Sequence, residues 1–237
     1  MPSGVEIKVA SSGGFKAALL GLVPAFERAS GHKVAAQWGS SLGDAATSIP
    51  SRLQRGDPLD LVILAGDPLD RLMREGRIVA GSRVDLARSG IGVAVRAGAP
   101  KPDIGSVDSL KHALLQARSI GYSSSASGVY LKSLFQRLGI AEALEPGIRQ
   151  VEGEPVAKVV ARGDAEIGFQ QVSELIPVAG IDFVGPLPAE IQEITVFAAG
   201  IPVGAPQPDA ARALISFLTS PAAAPVIRKC GMEQAPS

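Results

Sequence analysis

Three short turns hold the residues best suited to chemistry. Ser11-Ser12-Gly13-Gly14, Gly39-Ser40-Ser41 and Ser123-Ser124-Ser125-Ala126-Ser127-Gly128 each separate an apolar run from a stretch of helical periodicity. Hydroxyls at a helix start are neutral donors. The helix start adds free backbone N–H groups and the positive end of its dipole. Such turns can grip an anion with little help from lysine or arginine. Any one of them reads equally well as a simple helix cap, a common use of serine there. Their recurrence at three junctions favours binding.

Other polar residues at element ends join this set. Arg88-Ser89 lies where the chain enters a second lobe, beside an apolar strand. A guanidinium there can fork onto a carboxylate; Arg83 and Arg96 read as surface arginines. Gln170-Gln171 closes another apolar run and offers paired amides to a ligand oxygen or to loop backbone. Glu152, before Gly153, is a ligand group or a solvated turn residue. Asp67 orients a ligand hydroxyl or caps the next helix, and Trp38 walls a cleft or half fills a core. His32 falls in a turn and His112 on a polar helix face, away from these turns. Asp67 and Glu152 are the acids nearest the candidate turns, but the sequence assigns no catalytic base. It contains no Gly-x-Ser-x-Gly elbow, phosphate-binding loop or His-Glu-x-x-His motif.

The elements that must position these residues alternate. Strands are expected over 5–10, 33–38, 59–65, 91–95, 119–122, 165–170 and 195–201. The run 59–65 (LDLVILA) suits a central parallel strand. Phe15, Ala18, Leu19, Leu22, Val23 and Phe26 form one helical stripe. Further helices are expected over 42–55, with Pro50 ending or kinking it, and over 109–117, 127–138, 155–162, 208–218 and 221–229. The β-α-β-α-β order implies a doubly wound sheet. With no long linker in view, two α/β lobes would be joined by crossing strands.

Composition narrows the function classes. The 237 residues suffice for one large domain or two small lobes. Lys plus Arg and Asp plus Glu both number 23, so the basic excess of a nucleic-acid binder is missing, and no nucleic-acid partner is expected. Cys230 is the only cysteine, which excludes an internal disulfide and, with two histidines, disfavours a soft-ligand metal site. No cofactor is expected. No apolar run reaches the roughly 20 residues of a membrane span. The opening Met1-Pro2-Ser3-Gly4 is not a secretory signal, which fits either a cytoplasmic protein or a removed signal peptide.

Ala10-Ser11-Ser12, Trp38-Gly39-Ser40-Ser41, Asp60-Leu61-Val62-Ile63, Gly128-Val129-Tyr130 and Pro221-Ala222-Ala223 follow one another in a familiar order. Through them, residues 5–232 resemble the molybdate-binding-protein family of ABC importers. The resemblance implies an α/β type II periplasmic-binding-protein fold: two doubly wound lobes, 1–85 plus 194–237 and 86–193, with the ligand cleft between them and closure by hinge motion. It implies a small anionic ligand, a carboxylate or an oxyanion. Ser12 and Ser40 or Ser41 would serve as first-lobe donors, and turn 125–127 and loop 152–156 as second-lobe donors. A membrane permease, a periplasmic location and a monomeric state come with it.

One departure bears on the ligand. Molybdate binders carry a tyrosine where this chain has Gln170 or Gln171. The segments Leu86-Ala87-Arg88-Ser89-Gly90 and Gly168-Phe169-Gln170-Gln171-Val172-Ser173-Glu174-Leu175 are similar instead to a divergent branch, that of aconitate isomerase. An arginine and two glutamines suit a larger ligand with carboxylates. The first expectation is a solute-binding receptor for a di- or tricarboxylate or an oxyanion. The alternative is an isomerase that shifts an allylic proton between cis- and trans-aconitate. A sensory ligand-binding domain reads the same way as the receptor.

Overall fold

In the computed structural model, which describes residues 4–236, strand and helix alternate along the chain. The elements are β1 (Glu6–Ser11), α1 (Gly13–Ser30), β2 (Lys33–Trp38), α2 (Ile49–Arg55), β3 (Leu61–Ala65), α3 (Gly66–Arg74) and β4 (Val84–Arg96). Next come α4 (Val107–Gln116), β5 (Ile120–Ser123), α5 (Ala126–Arg137), α6 (Ala141–Leu144), β6 (Ile148–Val151) and α7 (Val156–Ala161). Last are β7 (Ile167–Gln171), α8 (Val172–Leu175), β8 (Ile181–Pro186), β9 (Ile194–Gly200), α9 (Pro208–Leu218), α10 (Ala224–Lys229) and β10 (Glu233–Gln234). They fall into two compact units, one running to Ser89 and resuming at Thr195, the other spanning Gly90–Ile194.

In the first unit, β1 lies between β2 and β3, parallel to both, and β9 runs antiparallel on β3. All five residues of β3 are buried, as its unbroken apolar run requires. Helix α1 turns Phe15, Ala18, Leu19, Leu22 and Phe26 into this core, and α9 adds Ala210, Ala211, Leu214, Ile215 and Leu218. Fully burying one such Leu or Phe is worth about 1.5–3 kcal/mol, so these two stripes fix both helices on the sheet. Asp60, 1% exposed, stands at the N-terminal end of β3. It accepts the backbone N–H of Lys8 at 2.8 Å and of Gln207 at 2.7 Å, tying β1 and the start of α9 together.

Helix α2 is shorter than expected over 42–55. Ser48 caps it, and Pro50 lies in its first turn. A proline there opens a helix, because its missing N–H would have had no partner. Residues 42–47 form turns instead.

In the second unit, β5 pairs parallel with β6 and β7, while β4 pairs antiparallel with β7 and β8. Strand β4 is far longer than the expected 91–95, because Arg88, Ser89 and Gly90 break its apolar pattern but not its extended backbone. Before the break, Ala87 and Arg88 pair with β10. Strands β6 and β8 were not legible: β6 exposes Arg149 and Gln150, and β8 is half-buried up to its exposed last residue, Pro186. The core gathers Ile91, Val93, Leu110, Leu131, Phe135 and Phe169.

Among the described residues, no helix is long and apolar enough to cross a membrane, and no three His, Cys, Asp or Glu side chains are grouped to hold a metal ion.

Candidate functional site

The first unit gathers polar groups at the C-terminal ends of β1, β2 and β3. Ser11 ends β1 and Ser12 precedes α1, both buried. Backbone bonds lock the junction: Ser12 N–H donates to Ile63 O at 2.8 Å, and Gly39 N–H to Ser11 O at 3.1 Å. Ser11 Oγ donates to Ser12 O at 3.1 Å. Ser41 is buried, and its Oγ accepts Ala65 N–H at 3.1 Å, which leaves its own proton for another acceptor. Gly39 permits this closeness, since a Cβ there would stand 2.1 Å from Thr47 O.

Ser12 decides between capping and binding. It occupies the N-cap position of α1, yet its side chain makes no capping bond, and the buried Oγ has no hydrogen-bond partner among the described residues. Ser48 and Ser106 show ordinary caps: their hydroxyls accept the N–H of Ser51 and Ser109. A buried polar atom without a partner costs about 1–3 kcal/mol. That cost at the start of an 18-residue helix, where backbone N–H groups are also free, fits a hydroxyl kept for a ligand.

The remaining first-unit residues are less tightly joined. Ser40 is exposed, with its Oγ accepting Leu42 N–H at 3.1 Å. Trp38 is partly buried at the end of β2, and the Lys16 ammonium lies 4.9 Å from its ring centroid. Asp67 is exposed in the first turn of α3, where the helix dipole favours an acid. Arg83 bridges Asp70 and Asp85, each at 2.9 Å. Arg88 lies in the first unit, opposite Glu233 of β10 and two residues before the second unit begins. Its side chain is exposed and forms no salt bridge with a described residue. Ser89, on the opposite face of the strand, is buried.

The second unit repeats the arrangement at the C-terminal ends of β5, β6 and β7. Ser123 Oγ and Ser125 Oγ are 2.6 Å apart, and Ser125 Oγ and Ser127 Oγ 3.3 Å. Ser125 is the N-cap of the 12-residue α5, and its hydroxyl too makes no capping bond. Gly128 allows the turn to close: a Cβ would stand 1.6 Å from Ser123 O. Gln170 and Gln171, each 4% exposed, end β7. Gln170 Oε1 accepts Val156 N–H at 2.9 Å, and its amide also hydrogen-bonds the Glu174 carboxyl. Glu152 follows β6 and is exposed.

Two residues of this end escaped the sequence reading. Ser123 is the first hydroxyl of the third serine turn and closes the hydroxyl chain. Glu174 stands three positions past Gln171, on the one-turn helix α8. Desolvation pushes its carboxyl up to about 7, against the opposing pull of the Gln170 hydrogen bond. An acid just beyond a buried strand end was the available signal.

A family model described as bacterial extracellular solute-binding protein matches residues 7–233. The chain belongs to that family. Its members bind solutes outside the cytoplasm, and this protein is a solute-binding protein of the same kind. Aconitate isomerase of Pseudomonas sp. is 43% identical over 98% of this chain and 88% of its own length. The molybdate-binding protein ModA of Azotobacter vinelandii is 31% identical over 95% of this chain and 89% of its own. The solved periplasmic molybdate-binding protein of Azotobacter vinelandii superposes with a TM-score of 0.80 at 23% identity, covering 98% of this chain and all of its own. The substrate-binding domain of a molybdenum transporter from Clostridium difficile gives 0.72 at 18% identity, also over 98% of this chain and all of its own. The expected type II periplasmic-binding-protein fold and the resemblance to molybdate binders both hold.

Proposed function

We propose that this solute-binding protein takes a small polycarboxylate anion. Ser12 and Ser41 are the donors that the first unit offers by itself, and Ser125, Ser127 and Gln171 those that the second offers. The buried, unbonded Ser12 hydroxyl carries this reading, because neither capping nor packing accounts for it. The amides Gln170 and Gln171 and the exposed Arg88 favour carboxylates over a bare tetrahedral oxyanion. A guanidinium forks onto a planar carboxylate, and amides bond its remaining lone pairs. In the receptor form of this reading the protein works in the periplasm and delivers its ligand to a membrane permease.

Calorimetric titration with trans-aconitate and with molybdate tests the ligand class. Trans-aconitate is expected to bind. Arg88→Ala should weaken trans-aconitate about tenfold or more, consistent with a charged hydrogen bond, and leave any molybdate binding nearly unchanged. Tight molybdate binding with no heat from trans-aconitate would overturn the carboxylate assignment.

The 43% identity with an aconitate isomerase over nearly the whole chain favours a second reading. In it, the bound tricarboxylate undergoes an allylic proton shift between its cis and trans forms. Proton NMR of trans-aconitate with the protein in deuterated buffer separates the two. Growth of the cis isomer or loss of the methylene signal supports catalysis, whereas an unchanged spectrum with ligand line broadening leaves the receptor alone.

A further inference from the structure

We infer that Glu174 is the proton-transfer group of this protein: its carboxylate takes the substrate's methylene proton and returns it at the far end of the allylic system. The inference rests on the isomerase reading above. Its structural basis lies wholly within the second unit.

Helix α8 begins at the residue after β7, so Glu174 is held just past the strand end that carries Gln170 and Gln171. The partner that orients it is itself fixed. Only the oxygen of the Gln170 amide can accept Val156 N–H, so its NH2 end is left to donate, and that end meets Glu174. An amide holds a carboxylate without neutralising it. A lysine or arginine in its place would have kept the acid permanently ionised and weakly basic.

The charged groups on the packed neighbours do not alter this. Strand β7 has none. Lys158 on α7 is exposed, and Asp182 on β8 accepts Gly98 N–H at 3.1 Å. Lys158 forms no ion pair with Glu174 among the described residues. Glu154 and Asp164, on either side of α7, are both held by Arg162. Partial burial therefore acts on Glu174 unopposed except by Gln170. A carboxyl near 7 is abundant as the base at neutral pH and acidic enough to give the proton back. Among the described residues it is the one carboxyl raised from its ordinary value.

The step balances with no co-reactant. The methylene C–H bond breaks, its proton passes to Glu174, and the electron pair spreads across the allylic carbons onto the attached carboxylates. Glu174 then protonates the formerly vinylic carbon. A new C–H bond forms there, the double bond moves by one position, and the carboxylate is restored.

Glu174→Gln tests the role, because the amide keeps the size and the hydrogen bond of the acid but cannot take a proton. Calorimetry and deuterium-exchange NMR are run side by side with trans-aconitate. The variant should bind within about threefold of wild type while isomerisation and methylene exchange fall by about 100-fold or more. Glu174→Asp should keep measurable turnover, and the wild-type rate should rise with pH through about 7, an inflection missing from the residual rate of Glu174→Gln. Turnover by Glu174→Gln at the wild-type rate would overturn the inference and leave the isomerase reading standing. A wild-type protein that binds trans-aconitate without exchange or isomerisation would remove that reading, and the role of Glu174 with it. Should Glu174→Gln fail to bind or fold, the wild-type pH profile decides: a flat rate between pH 5 and 9 rejects Glu174.

Discussion

The two units end their parallel strands in different chemistry. In the first, the buried groups at the C-terminal strand ends are neutral hydroxyls, those of Ser11, Ser12 and Ser41, and the acid there, Asp67, is exposed. Its one buried acid, Asp60, lies at the opposite end of β3 and is satisfied by two backbone N–H groups. In the second, the hydroxyl chain of Ser123, Ser125 and Ser127 shares its end of the sheet with two buried amides and an acid, Glu174. Glu174 has a single amide donor and a carboxyl pushed up to about 7. Two covered acids of one protein thus take opposite parts. Desolvation raises the Glu174 carboxyl against the pull of one amide donor, whereas two backbone N–H groups tie Asp60 into the fold.

Substitutions that remove one member of this contrast should separate structure from chemistry. Asp60→Ala should have the largest effect on stability. It strands two partly buried N–H groups at about 1–3 kcal/mol each, so a loss of about 3 kcal/mol is expected in urea unfolding. An unchanged midpoint would show that Asp60 is not the structural acid.

Gly128→Ala comes next. Its Cβ would collide with Ser123 O, so the turn must open. A loss of about 2 kcal/mol is expected from such overpacking, together with weaker ligand binding. Intact binding would separate the hydroxyl chain from the site.

Glu174→Gln should change the pH dependence of stability. The folded-state value, about 7, lies above the ordinary 4.5. The group's favourable contribution is therefore complete below pH 4.5 and disappears as pH rises through 7. Relative to Glu174→Gln, wild type should lose about 2 kcal/mol between pH 5 and 8, a figure reduced for partial exposure. Parallel stability curves for the two proteins would mean that Glu174 is not held above its ordinary range.

The smallest change is expected from Ser12→Ala. Without ligand its thermal midpoint should stay level or rise slightly, since an unpaired buried hydroxyl is removed. Ser106→Ala should lose about 1 kcal/mol of genuine capping. With trans-aconitate, Ser12→Ala should bind about tenfold more weakly, the worth of about one hydrogen bond. A ligand-free loss as large as that of Ser106→Ala would return Ser12 to the ordinary caps.

Much of this molecule was legible from residue order. Helix α9 runs over the expected 208–218, because Pro208 opens a clean amphipathic stripe that leaves no other frame. Strand β3 and helix α1 follow equally from apolar runs and spacing, and the serine turns lie at strand ends as their positions implied. The edge strands β6 and β8 were not legible, since half-buried, partly polar strands lack a distinctive period. Helix α2 was misjudged because a proline within a run opens a helix as readily as it breaks one.

Residue order by itself determined which side chains stand at the strand ends, since local periodicity sets where strands stop and helices start. It could not say what those side chains do there. Ser12 and Ser106 occupy the same N-cap position, and only the chain packed around each decides that one hydroxyl caps its helix while the other stays unbonded. In the same way Glu174 reads as one more acid in a polar string. Its carboxyl is set by desolvation and by an amide that Val156, fourteen residues before Gln170, holds in place. Hydrogen-bond supply and exclusion of water come from neighbours distant in sequence, so only the tertiary structure could decide them.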